Sequence, residues 1–169
     1  SQQMTEKLYG KALEYADIED TDTVLDVYCG IGTISLAAAK FAKYVVGVDI
    51  VAQAINNAKE NAENNDINNA DFYVDSAETA VPRLISEGMK PDIVILDPPR
   101  KGSDEKTLAA IVNAQPKRIV YVSCNASTLA RDAKFLAESG YVPSAATGVD
   151  MFPHTHHVET VCLMSKVQS

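Results

Sequence analysis

The sequence predicts a doubly wound α/β domain, a parallel sheet covered by helices on both faces. Two observations carry this. Short apolar runs rich in β-branched residues alternate with longer helix-like stretches along the whole chain, the pattern of a parallel sheet built from β-α units. The runs VVGVD, IVILD and IVYVS are continuously apolar rather than alternating, as in strands buried on both faces.

In order, the strand candidates are VLDVYC (24–29), YVVGVD (44–49), ADFYV (70–74), DIVILD (92–97), RIVYVSC (118–124) and VETVCLMS (158–165). Between them lie the helix candidates SLAAAKFAK, VAQAINNAKENAENN, SAETAVPRLISEG, DEKTLAAIVNA and ASTLARDAKFLAESG. Pro and Gly punctuate the joints, and no repeat or low-complexity tract interrupts the pattern. The block TGVDMFPHTHH (147–157) lacks periodicity and is dense in His and Pro, so it reads as a loop leading into the last strand.

At 169 residues the chain fits one domain, spanning 1–169, with enough core to fold without disulfides or metal. Three cysteines, Cys29, Cys124 and Cys162, are an odd number with no CxxC spacing, which argues for a reducing compartment and predicts a cytoplasmic protein. No apolar run reaches the length of a membrane span, and SQQMTEKLYG has no signal-peptide core. A net charge of -8 opposes nucleic-acid binding over the whole surface, because such binding rests on cations that neutralise phosphates. An RNA partner would need local contacts. The pairs available are Lys40/Lys43, Arg100/Lys101, Lys117/Arg118 and Arg131/Lys134.

The first strand candidate runs into DVYCGIGTIS, where Gly30 and Gly32 form GxG and Ser35 stands in place of a third glycine. Small residues at a strand-to-helix turn let a ligand approach the backbone. At the end of the second strand is Asp49, able to accept hydrogen bonds from both hydroxyls of an adenosine ribose. This unit serves NAD or S-adenosylmethionine equally well. The missing third glycine, used for a pyrophosphate, favours the methyl donor.

The fourth strand ends in LDPPRKG. Asp97 therefore stands at a carboxyl edge before Pro98 and Pro99, whose rigid backbone suits the holding of a planar base or a donor methyl. Arg100 either steadies a phosphate or uracil carbonyl or faces solvent. Cys124 ends the fifth strand, just before a helix start whose N–H groups and dipole favour a thiolate. The ends of neighbouring strands face one crevice, so Cys124, Asp97 and the GxG turn are expected together. The residues alone leave Cys124 open between nucleophile and packing, and Cys29 and Cys162 read as small buried hydrophobes. Glu159 is either functional or an ordinary strand-edge carboxylate. His154, His156 and His157 lack the partners and spacing of a zinc site, so no metal is expected.

DVYCGIGTISL, GVDIVAQAINNAKENAENN, ILDPPRKG, IVYVSCNASTLARD and DMFPHTHHVETVCL together resemble the catalytic domain of the RNA uridine-5 methyltransferases that act on transfer and ribosomal RNA. The resemblance covers essentially the whole chain, and SCN with TLARD and DMFPHT with HVE are its most specific parts. It implies a Rossmann-like S-adenosylmethionine-dependent methyltransferase fold, with a mostly parallel seven-stranded sheet and a C-terminal antiparallel strand. It implies Cys124 as nucleophile and Glu159 as base, Tyr28, Gly30, Asp49 and Asp97 on the cofactor, and Arg100 near the target base.

Two departures stand out. Ala126 follows SCN where the family commonly has proline, and a helix start accepts either. The family is longer upstream, with an RNA-binding module and a glutamine that contacts the methyl donor. The chain is thus expected to be the C-terminal part of a longer enzyme. Competing readings are a cofactor-binding domain inactive in isolation, an amino-group methyltransferase of nucleic acid, which also carries DPP, and a nicotinamide-dependent oxidoreductase.

Overall fold

The computed structural model describes residues 2–151 and 158–167. Among the described residues, six helices and seven strands follow one another as α1 (Gln2–Ala16), β1 (Thr23–Val27), α2 (Thr33–Ala39), β2 (Tyr44–Asp49), α3 (Ala52–Asn64), β3 (Ala70–Val74), α4 (Ala77–Ser86), β4 (Ile93–Leu96), α5 (Glu105–Ala114), β5 (Arg118–Ser123), α6 (Ala126–Glu138), β6 (Tyr141–Asp150) and β7 (Val158–Lys166). The strands form one sheet in the order β3-β2-β1-β4-β5-β7-β6. β1 to β5 are mutually parallel, and β7 runs antiparallel to both β5 and β6.

The chain winds outward from β1 to β3, then returns to lay β4 on the other side of β1. That reversal opens a crevice at the carboxyl ends of β1 and β4, where α/β sheets bind ligands. Alternation along the central strands feeds two cores. Leu25, Val27, Val94 and Leu96 pack with Ala80 and Val81 of α4, Leu108 and Ile111 of α5, and Leu136 of α6. On the opposite face, Val24, Ile93 and Ile95 pack with Leu8, Ala12 and Ala16 of α1 and with Ile34 and Ala38 of α2. The β2 and β3 spans agree with their predicted limits, and the other predicted strands agree to within two residues.

Two elements escape the sequence pattern. α1 buries a narrow stripe, Leu8, Ala12 and Ala16, whose alanines add little apolar signal while allowing close approach to the sheet. β6 corrects the predicted loop: residues 147–150 belong to a ten-residue strand, and 152–157 lie outside the described residues. As the edge strand, β6 is largely exposed and carries Pro143 with a register irregularity beside it. Proline and irregular pairing are tolerated only at such edges, which is why the segment has no apolar signature.

Candidate active site

The turn after β1 is shaped by residues with positive φ. Gly32, at φ 83, begins α2, and a Cβ there would sit 2.9 Å from the Ala58 Cβ and 3.0 Å from Phe72. Close packing of turn, α3 and β3 thus requires glycine. Tyr28, at φ 66, is a bulky residue in the left-handed region, a conformation held only where its surroundings demand it. Its hydroxyl lies 2.9 Å from Ser103 Oγ. At the end of β2, Asp49 accepts from the Gly30 N–H at 2.9 Å through Oδ2 and from the Val51 N–H at 2.9 Å through Oδ1. Asp49 therefore ties two strand-end turns together, and its oxygens retain further lone pairs for a ligand.

A cavity of about 790 Å³ opens over these strand ends, lined among others by Tyr28, Asp49, Ser76, Asp97, Pro98 and Lys101. A smaller recess of about 90 Å³, bounded by Tyr9, Asp26, Gly30 and Asp97, adjoins it through the shared Tyr28 and Asp97. Burial, with Asp26, Glu159 and Asp49 nearby, pushes the Asp97 carboxyl up to about 7. Asp26 is fully buried in β1 with Ser35 Oγ donating to it at 2.5 Å. Burial chiefly lifts it too to about 7, outweighing the Ser35 hydrogen bond. Burial, Asp97, Asp26 and Glu159 also raise the Tyr9 hydroxyl, which places α1 against the same acidic group.

The 97–104 loop is pinned from α6. Asp132, 2% exposed, accepts from the Ser103 N–H at 2.8 Å and the Tyr121 hydroxyl at 2.5 Å, and from Arg131 Nε and Nη2 at 3.2 and 3.1 Å. Arg131 Nη2 also donates to the Lys101 carbonyl at 2.7 Å. Gly102, at φ 82, lies under this clamp, where a Cβ would meet Arg131 Nη2 at 2.4 Å and Asp132 Oδ2 at 2.8 Å. The backbone of Arg100 belongs to the same loop, its carbonyl accepting from Thr128 Oγ1 at 3.1 Å. The Arg100 side chain is exposed and is not among the residues lining the cavity.

Cys124 follows β5 directly and is half-buried. Asn125 caps α6 through its side-chain oxygen, which accepts from the Ser127 N–H at 2.9 Å and the Thr128 N–H at 3.2 Å. β7 begins where the parallel strands finish, because it runs the other way. Its register with β5 pairs Val122 with Val161 and Ser123 with Thr160. The pairing ends there, and Cys124 and Glu159 are the next residues along the two chains. Glu159 is near enough to Asp97 and Tyr9 to help raise both.

The structure therefore brings Tyr28, Gly30, Asp49 and Asp97 around one pair of recesses, with Cys124 and Glu159 at the neighbouring strand ends. Cys162 is buried as expected, whereas Cys29 is half-buried at the turn, its thiol pushed up by burial and by Asp26 and Asp49. Of the basic pairs, Lys117 binds Asp22 at 2.7 Å, Arg118 donates to the carbonyls of Ala16 and Asp17, and Arg131 serves the clamp. These three hold the fold together. His154, His156 and His157 lie outside the described residues. Among the described residues, no group of three His, Cys, Asp or Glu is placed to hold a metal ion, and no helix is long and apolar enough to cross a membrane.

Asp26 and Asp132 are not among the residues the sequence predicts for the site. Both had a signal. Asp26 interrupts the apolar run VLDV, and an acid there must be buried. Asp132 falls on the inner stripe of α6 with Leu129 and Leu136.

A seven-stranded sheet of this order, ending in a reversed strand, with an acid after β2 facing the β1–α2 turn, is the fold of the S-adenosylmethionine-dependent methyltransferases. Within that class, a sequence model of the tRNA (uracil-5-)-methyltransferase family matches residues 1–167, and the chain belongs to this family. An uncharacterized RNA methyltransferase of Bacillus cereus ATCC 10987 is 53% identical over 98% of this chain and 36% of its own length. Another uncharacterized RNA methyltransferase, from Staphylococcus aureus MRSA252, is 51% identical over 96% of this chain and 36% of its own. The tRNA (uracil-54, C5)-methyltransferase of Pyrococcus abyssi, solved with S-adenosyl-L-homocysteine, superposes with a TM-score of 0.79 at 34% identity, covering 94% of this chain and 38% of that one. The chain thus spans little more than a third of the length of these relatives. The N-methyltransferase NodS of Bradyrhizobium japonicum, TM-score 0.79 at 11% identity, shares the fold alone.

Proposed function

We propose that this chain carries the methyl-transfer site of an RNA uridine-5 methyltransferase, moving a methyl group from S-adenosylmethionine to carbon 5 of a uridine in ribosomal or transfer RNA. The observation that supports this best is that Cys124 and Glu159 directly adjoin the last β5–β7 pair, Ser123 and Thr160, while Asp49 and Asp97 line a cavity over the ends of the parallel strands.

The residues present fit the cofactor. Asp49 offers lone pairs to a ribose diol, the cavity is large enough for a nucleoside with an amino-acid tail, and the surrounding carboxylates suit a cation. When bound, S-adenosylmethionine supplies an electrophilic methyl group. Carbon 5 of uracil is too weak a nucleophile to take that methyl unaided. The Cys124 thiolate adds to carbon 6, forming a carbon–sulfur bond and placing the electron pair of the 5,6 double bond on the enolate that makes carbon 5 nucleophilic. Once carbon 5 bears the methyl group, Glu159 takes its remaining proton. The electron pair reforms the double bond and expels the Cys124 thiolate. Reaching Cys124 requires the uridine to leave its stack. Gripping the RNA is assigned to other parts of the enzyme, because this chain is acidic and three of its basic residues are committed to the fold.

The full-length protein, incubated with S-adenosylmethionine and RNA containing 5-fluorouridine, is expected to form a covalent adduct, since fluorine blocks the final proton removal. No adduct, or an adduct that persists in Cys124→Ala, sinks the assignment. The Asp97-Pro98-Pro99 turn also suits an amino-group methyltransferase. Undiminished RNA methylation by Cys124→Ala would favour that reading, and methyl incorporation without adduct formation would accompany it.

A further inference from the structure

The recess beneath the β1–α2 turn gathers acidic side chains. Asp26 and Asp97 bound it from neighbouring strands, and Asp49 stands at the end of the next one. Asp26 is met only by neutral donors of Ser35, its hydroxyl and its backbone N–H, among the described residues, and Asp49 is held by two backbone N–H groups. Among the described residues, no lysine or arginine forms an ion pair with any of the three. Other titratable groups face the cluster from each packed element: Tyr9 from α1, Cys29 from the turn and Glu159 from β7. Tyr28 and Lys101 also line the adjoining cavity. Three carboxylates this close, two of them largely or wholly removed from water, cannot all remain charged near neutrality without a cation. Burial first, with neighbouring acids adding to it, raises Asp26 and Asp97 to about 7, so these two hold protons near and below neutrality.

Resting on the reading that this cavity takes S-adenosylmethionine, we propose that Asp26 and Asp97, beside Asp49, form a charge sensor that distinguishes the sulfonium donor from its neutral thioether product, exchanging protons for the donor's positive charge. The two ligands share their adenosine and amino-acid parts and differ by one methyl group and one charge. When the cation arrives, Asp26 and Asp97 release a proton to solvent and hold the ligand as carboxylates. When methyl transfer removes that charge, the same carboxylates take a proton back, and the product is no longer held by Coulomb attraction. The cluster thereby biases the site against its own product, and does so more strongly as pH rises.

Titration calorimetry on the full-length protein from pH 6 to 8 tests this with three ligands: S-adenosylmethionine, S-adenosylhomocysteine, and an analogue with a protonated amine in place of the sulfonium. The two cations are expected to gain roughly tenfold in affinity over this range, and the thioether less than about twofold. Repeating the titrations in buffers of different ionisation enthalpy should show net proton release for the cations only, a measurement that needs no variant. Asp97→Asn should flatten the pH dependence for the cations and narrow their advantage over the thioether at pH 8 by about fivefold or more. Equal pH dependence for all three ligands, or an Asp97→Asn variant that weakens them alike, overturns the sensor while leaving cofactor binding intact. If none of the three binds, the cofactor reading falls and the sensor with it.

Discussion

Asp132 and Asp97 line one cavity from two sides and meet opposite fates. On the α6 side, Asp132 receives the Ser103 N–H, the Tyr121 hydroxyl and two nitrogens of Arg131, so its charge is matched and its geometry fixed. On the side made by strand ends, Asp97 shares a recess with Asp26 and is lifted to about 7 by burial and other acids. A buried carboxylate with a full set of donors holds structure, whereas one surrounded by its own kind stores electrostatic tension that an arriving cation relieves. The first side positions the 97–104 loop and the second awaits a ligand.

The sharpest way to break this contrast is Asp132→Ala, which strands the Ser103 N–H and the Tyr121 hydroxyl and frees the loop. It is expected to cost about 3 kcal/mol or more in urea unfolding. A loss below about 1 kcal/mol would remove Asp132 from its structural role. Next is Gly102→Ala, which forces a Cβ into the Arg131–Asp132 pair at a positive φ. Roughly 1–3 kcal/mol should be lost, seen as a lower midpoint at unchanged slope.

Asp97→Asn should act in the other direction, and its effect depends on pH. Because the folded-state value, about 7, lies above the ordinary 3.8, Asp97 contributes stability that is fully present below about pH 4. That contribution falls away as pH rises through 7. The unliganded variant should therefore match or trail wild type at pH 4 and melt higher at pH 8. A wild-type melting curve with the same slope as the variant across this range would contradict the burial argument. Smallest is Lys117→Ala: its partner Asp22 is buried but Lys117 is itself 39% exposed, so about 1 kcal/mol or less should be lost, and the loss should shrink further at 1 M salt.

The fold was legible where burial is two-sided. β2, β4 and β5 declared themselves because strands covered on both faces must be apolar throughout, and their ends marked Asp49, Asp97 and Cys124. α1 and β6 did not, for opposite reasons. α1 uses alanines to approach the sheet closely and so shows little apolar periodicity, and β6 is an edge strand whose exposed face and Pro143 carry no burial signal. At the site, Gly30, Asp49 and Asp97 could be placed at strand ends from spacing alone, whereas Tyr28 came only from the family resemblance. Arg100 could be put on the right loop, but the direction of its side chain could not be read. Arg131 looked like a surface cation until Asp132 and the Lys101 carbonyl were brought to it.

By itself, the sequence determined the doubly wound class, the strand ends that carry chemistry and the family to which the chain belongs, because periodicity and local motifs are written residue by residue. Only the tertiary structure decided which acids are neighbours. Asp26, Asp49 and Glu159 come from three different strands and Asp97 directly follows a fourth, and their mutual repulsion exists only once the sheet order sets β2, β1 and β4 side by side and turns β7 back toward them.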